Sequence, residues 1–224
     1  MNAARRIVIA DDHAIVRAGY CALLSRHPGC TIVGEAADGA EAYRLVASLA
    51  PDLLVIDLSM PGLGGLGAIP RVRQRRPDCR ILVLSMHGDP AYVERALAAG
   101  AHGYVTKSSA PEILLAAVDV VADGGRYLSP DLSSRLAWQH LGSAVPGADE
   151  LTPREFEVLR LLVDAQAPAA IARALGISDK TVLNMHYAIK RKLHARTDIE
   201  LMHAALRMGL IDAPPAGPAA PAQD

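Results

Sequence analysis

Four short stretches in the first 107 residues carry side chains that could do chemistry together. They are Asp11-Asp12 in "VIADDH", Asp57 in "LLVIDLSMP", Ser85 in "ILVLSMHGD" and Lys107 in "GYVTKSS". Each lies at the end of a run of β-branched and aliphatic residues. Three carboxylates brought to one point repel strongly unless a cation neutralises them. Such a hard, all-oxygen set beside a loop carbonyl suits Mg²⁺, with waters completing the octahedron. A lysine and a hydroxyl aimed at the same point supply the donors that a transferred phosphoryl group requires. A carboxylate can itself take that group, forming an acyl phosphate. An isolated Asp after a strand is weak evidence, because Asp commonly caps the helix that follows. Capping does not explain Lys107.

These positions converge only if the chain places strand ends side by side. The runs "RIVIA" near the N-terminus, "TIVGEA" (31–36), "LLVIDL" (53–58), "RILVLSM" (80–86) and "HGYVTK" (102–107) read as strands. Between them, 13–26, 39–49, 66–76, 90–99 and 111–123 have helical spacing of Ala and Leu. Leu53-Leu54-Val55-Ile56 is apolar without alternation, as expected of a strand covered on both faces. Five such repeats predict a parallel α/β sheet with right-handed crossovers, whose ligand site lies outside the carboxyl ends of the strands. Gly100 and Gly124 stand where helices should end.

The same residues carry a family resemblance. "VIADDH", "LLVIDLSMPGLGG", "ILVLSMHGD" and "GYVTKSS" closely resemble the receiver domain of two-component response regulators, a flavodoxin-like doubly wound fold, over about 120 residues. The resemblance implies that Asp57 is the phosphoacceptor. It further implies that Asp12, Asp57 and the carbonyl of Ser59 hold Mg²⁺, with Asp11 acting through water. Lys107 would grip the phosphoryl oxygens, and Ser85 would bind the phosphate and let Tyr104 turn inward. Relatives usually carry Asp or Asn where this chain has Gly64, within "Gly-Leu-Gly-Gly". Pro70 falls inside the next helix, where it is tolerable only near the first turn.

Residues 128–150 shift to Ser, Pro, Gly and polar residues around a short apolar helix and read as a linker. From 151 to 212 the periodicity is helical throughout, and the Pro/Ala-rich tail at 213–224 reads as disordered. The receiver is thus expected over 1–127. Thr152-Pro153-Arg154-Glu155 has the form of a capping box with Pro at the first helical position. "AAIARALGIS" supplies a short helix, a turn at Gly176 and a cap at Ser178, which is helix-turn-helix spacing. This part resembles the LuxR-type helix-turn-helix of the NarL/FixJ subfamily over its whole length. At about 100° per residue, Val182, His186, Ile189 and Leu193 share one face of the second helix. Leu183, Asn184, Tyr187 and Arg191 share the other, beside Lys180. By resemblance, Leu183, Asn184 and Tyr187 occupy base-reading positions, the first of which is often Lys in relatives. Leu183 could touch a thymine methyl and Asn184 could pair with adenine. Lys180, Thr181, Arg191 and Lys192 are placed as phosphate contacts. "DAQAPAA" (164–170) replaces the family's Gly-containing turn.

Basic and acidic residues balance over 1–128, while 178–196 sets Lys180, Lys190, Arg191, Lys192 and Arg196 against Asp179 alone. Three cysteines without metal spacing argue against a disulfide framework or zinc site. No stretch of about 18 apolar residues occurs, and a soluble, cytoplasmic protein with no membrane partner is expected. The resemblances imply a transcriptional regulator, not an enzyme. It would be phosphorylated by a sensor histidine kinase, would dimerise when phosphorylated, and would bind promoter double-stranded DNA, with RNA polymerase as a further partner. Two other readings stand beside it. A Mg²⁺-dependent aspartyl phosphatase would need an acid where Ser59 stands. A receiver working without phosphorylation, whose helical domain binds protein, would suit the uncharged Leu183 and Tyr187.

Overall fold

The structure, a computed structural model, describes residues 4–139 and 145–211. Strands and helices alternate through the first part: β1 (Arg5–Ala10), α1 (Ala14–Ser25), β2 (Cys30–Ala36), α2 (Gly39–Leu49), β3 (Leu53–Ile56), α3 (Gly64–Arg75), β4 (Arg80–Ser85), α4 (Pro90–Ala98), β5 (Gly103–Thr106) and α5 (Pro111–Ala122). The five expected strands form, and β6 (Tyr127–Leu128) adds a sixth beside β5. Two residues are too few for a periodic signal; β6 exists because the open edge of β5 offers it partners. The order is β2-β1-β3-β4-β5-β6, and every pairing is parallel.

The central strands are covered on both sides, which accounts for their unbroken apolar runs. Successive residues enter opposite layers. Leu54, Ile56, Ile81 and Val83 join α2, α3 and α4, whereas Leu53, Val55, Leu82 and Leu84 face α5 and the last residues of α1. Gly100 and Gly124 follow α4 and α5 with φ of 111° and 93°. Pro70 is the seventh residue of α3, so the carbonyl of Leu66 loses its helical donor.

The segment expected as a linker contains α6 (Pro130–Gln139). Residues 140–144 and the tail expected to be disordered lie outside the described residues. Four helices follow: α7 (Pro153–Val163), α8 (Pro168–Leu175), α9 (Asp179–Lys192) and α10 (Asp198–Arg207). The capping box at Thr152 and Glu155 is formed, and Ser178 caps α9 by accepting from the Thr181 N–H. Gly176 turns α8 into α9 at φ 64°. Val182, Ile189 and Leu193 are buried against α7 and α8, as the periodicity predicts. Among the described residues, no helix is long and apolar enough to cross a membrane.

Candidate phosphoacceptor pocket and DNA-facing helix

Backbone ladders extend past the strands and fix the pocket. The Asp57 N–H donates to the Ala10 carbonyl at 2.8 Å, and the Lys107 N–H to the Ser85 carbonyl at 2.8 Å. The side chains of Asp11, Asp57 and Lys107 therefore emerge together, each almost wholly buried. Lys107 Nζ lies 2.6 Å from Asp11 Oδ2 and 2.8 Å from Asp57 Oδ2. Burial raises the Asp57 pKa against the opposing pull of Lys107. Burial also works against the Lys107 ammonium, but its bonds to Asp11 and Asp57 prevail and hold its pKa up. The result is an acidic pocket in which Lys107 bridges two buried carboxylates.

Asp11, Asp12, His13 and Asp57 each offer a ligand atom, all within 4.8 Å of one another. Asp12 Oδ1 is buried without an aligned hydrogen-bond donor, although His13 Nδ1 lies 2.8 Å away. An orphaned carboxylate oxygen beside two further carboxylates is the environment a hard divalent cation would satisfy. His13 is absent from the set expected on sequence grounds. Its position directly after the Asp pair is the one signal that points to it, and a nitrogen ligand is poorly matched to Mg²⁺. Close packing also shapes the mouth of the pocket. A Cβ at Gly65 would collide with the Asp57 carbonyl, so α3 can start this close to Asp57 only with glycine there.

Ser85 is fully buried and accepts from the His87 N–H at 3.2 Å. Tyr104 is also fully buried, and its hydroxyl donates to the His87 carbonyl at 2.7 Å. β6 lies outside it, pairing Leu128 with Tyr104, so Tyr104 is not on an edge strand. Ser59 lies at the mouth, its N–H 3.3 Å from Asp57 Oδ1 and its hydroxyl 2.8 Å from His87 Nε2.

The helical part packs over this mouth. Tyr92 of α4 meets Phe156 of α7 edge-on at 4.7 Å, and the Arg95 guanidinium lies 4.4 Å from the Phe156 ring centroid. Arg95 also bonds the Leu151 carbonyl at 2.6 Å and the Ala148 carbonyl. Asp12, Ser59, His87, Tyr92, Glu157 and Arg160 all line the cleft between the two parts. Gly64, at φ 66°, lets Glu157 approach, since a Cβ there would fall 2.5 Å from its Oε1. Burial pushes the Glu157 carboxyl up to about 7, against the pull of Arg154 at 2.8 Å.

On α9, the face away from the core carries Lys180, Leu183, Asn184, Tyr187 and Arg191, all exposed; Leu183 is 55% and Tyr187 75% exposed. Thr181 is half-buried, its hydroxyl 2.8 Å from that of Ser178. Lys192 is engaged within its own domain, bonding Glu155 Oε2 at 2.6 Å and the Glu150 carbonyl at 3.0 Å. His186 is semi-buried, with Nε2 3.0 Å from Asp198 Oδ1.

Residues 7–119 match the response regulator receiver domain, and residues 149–205 match the bacterial regulatory proteins of the LuxR family. The chain belongs to the two-component response regulators. Response regulator GacA of Pseudomonas viridiflava is 33% identical, over 93% of this chain and 98% of that protein. Oxygen regulatory protein NreC of Staphylococcus carnosus is 37% identical, over 92% and 99%. Among solved structures, Salmonella enterica RcsB bound to a promoter with the phosphomimetic BeF3⁻ is 30% identical, with a TM-score of 0.62 over 91% of this chain and 98% of that one. A LuxR-family response regulator from Aurantimonas is 45% identical, with a TM-score of 0.60, and covers 62% of this chain and 99% of its own. This response regulator therefore couples a receiver to a LuxR-type DNA-binding domain, in a family of transcription regulators.

Proposed function

We propose that this response regulator accepts a phosphoryl group on Asp57 from a sensor histidine kinase and thereby controls its binding to promoter DNA. The observation that carries this reading is Lys107 bridging two buried carboxylates, Asp11 and Asp57, at the ends of parallel strands. In the transfer, an Asp57 oxygen attacks the phosphorus of a phosphohistidine. A P–O bond forms, the P–N bond breaks, and the imidazole leaves with the electron pair and takes up a proton. Mg²⁺, held by Asp12, Asp57 and the Ser59 carbonyl with Asp11 acting through water, would neutralise the charge that develops on the phosphoryl oxygens. Lys107 holds those oxygens from the other side, and the Ser85 hydroxyl donates to them while Tyr104 packs beneath.

The DNA reading rests on the two-faced α9 and on RcsB, whose structures include dimers bound to DNA. Lys180 and Arg191 contact phosphates, and Leu183, Asn184 and Tyr187 face base edges. Two phosphorylated copies, joined as a dimer, bind paired half-sites. The receiver is assigned to 1–127 and the helix-turn-helix domain to 151–212, with 128–150 between them, in a cytoplasmic protein.

A gel-shift against DNA upstream of its own gene, with and without acetyl phosphate and Mg²⁺, tests both halves. Phosphorylation should tighten binding, and Asp57→Asn should abolish both phosphoryl uptake and the tightening. Uptake that persists in Asp57→Asn would remove the acceptor assignment. A wild-type chain that is phosphorylated yet binds no DNA would favour the protein-interaction reading instead.

A further inference from the structure

One residue in the loop after β4 meets both the acceptor pocket and the helical domain. The His87 N–H donates to Ser85 Oγ at 3.2 Å, and its carbonyl accepts the Tyr104 hydroxyl at 2.7 Å. Its Nε2 lies 2.8 Å from the Ser59 hydroxyl and 3.4 Å from Arg160 Nη1 on α7. Its ring stacks on Tyr92 with centroids 4.8 Å apart and 20° between planes, and Tyr92 in turn packs on Phe156 of α7. The preceding residue, Met86, is 70% exposed, so the loop turns His87 inward in preference to its apolar neighbour.

Hydrogen-bond chemistry fixes the direction of these contacts. An arginine only donates, so Nε2 must accept, and the ring is the neutral tautomer carrying its proton on Nδ1. Two of the bonds lead to groups expected to move with phosphorylation, Ser85 and the Ser59 loop; the third comes from Tyr104, which is already turned inward and holds the loop from beneath. Two contacts, the bond to Arg160 and the stack through Tyr92, lead to the helical domain. A Ser85 hydroxyl drawn to a phosphoryl group leaves the His87 N–H, and a Ser59 loop drawn toward a cation leaves Nε2.

We infer that His87 is the positioning residue through which the state of Asp57 sets the docking of the helical domain, by holding Arg160 and Tyr92 only while the pocket is unphosphorylated. This rests on the phosphorylation reading above and names the regulation of that site. The role assigned to this side chain is to transmit a change at the pocket to α7.

The test uses the full chain and a duplex from upstream of its own gene. DNA affinity is measured with and without saturating BeF3⁻ and Mg²⁺, with Asp57 occupancy checked in each variant. Coupling between sites typically amounts to about 5–150-fold in affinity. His87→Ala should collapse the wild-type ratio to within about twofold of one, by tightening binding of the unmodified protein. His87→Gln keeps an acceptor near the Nε2 position and should recover part of the ratio, whereas His87→Phe keeps the stack alone and should not. Arg160→Ala should act non-additively with His87→Ala. A purely structural role would lower the melting temperature without tightening DNA binding by the unmodified form. A wild-type ratio retained in both His87→Ala and His87→Phe would overturn the inference while leaving the phosphorylation reading intact. A wild-type ratio of one would overturn both.

Discussion

At the residue scale, Lys107 decides whether the pocket is stable. It neutralises two buried carboxylates, and removing one partner of a buried ionic group typically costs about 3–5 kcal/mol because the remaining charge is left uncompensated. Lys107→Ala should therefore melt well below the parent in the presence of a chelator. Added Mg²⁺ should raise its melting temperature by more than it raises the parent's, because the ion replaces the missing charge. An equal Mg²⁺ shift in both proteins would count against a metal site at these carboxylates. On α9, Lys180→Ala and Arg191→Ala should weaken DNA binding across sequences. Each should also flatten the salt dependence, with the slope falling by about one for every phosphate no longer neutralised. Unchanged affinity and slope in both variants would remove these residues from the interface. Lys192→Ala should instead act on folding, since its ammonium is tied to Glu155.

At the element scale, the turn after α7 shows what the unusual "DAQAPAA" does. Ala165 adopts φ 58°, a left-handed conformation that disfavours a side chain by about 1–2 kcal/mol. Glycine would relieve that strain but would lose about 0.5–1 kcal/mol through its freer unfolded state. Ala165→Gly should thus raise stability by up to about 1.5 kcal/mol, read from chemical denaturation. No gain would mean that the turn relaxes around alanine. The alanine is exposed, so the effect should be confined to the backbone.

At the scale of the whole molecule, the seam between the two domains contains a titrating group. Burial raises the Glu157 carboxyl from its ordinary value of 4.5 to about 7, so the neutral form favours the packed state. Its contribution is full below pH 4.5 and is lost as pH rises through about 7. Thermal stability of the full chain should fall between about pH 5 and pH 8 by more in the parent than in Glu157→Gln, on the order of one to a few kcal/mol. Parallel pH profiles for the two proteins would show that Glu157 is not held neutral. The three cysteines should stay inert over that range. All three are free thiols, and burial pushes Cys21 up to about 11 and Cys79 up to about 12.

Local periodicity and residue type already specify much of this protein along the chain. The unbroken apolar runs mark the covered strands. The spacing of Val182, Ile189 and Leu193 marks the buried face of α9, and Asp11, Asp12, Asp57, Ser85 and Lys107 mark the strand ends. These features are legible because a strand's face and a helix's stripe repeat within a few residues. Whatever depends on distant segments meeting is settled only in the folded molecule. β6 needs the edge of β5, Lys192 meets Glu155 only when α7 and α9 pack together, and His13 joins the acidic cluster through the turn into α1. Glycine at position 64 reads as a missing side chain along the chain; in the folded protein it is space filled by Glu157. His87 lies in a loop with no periodicity at all, and it gains a role only when Ser85, Tyr104, Ser59 and Arg160 close around it.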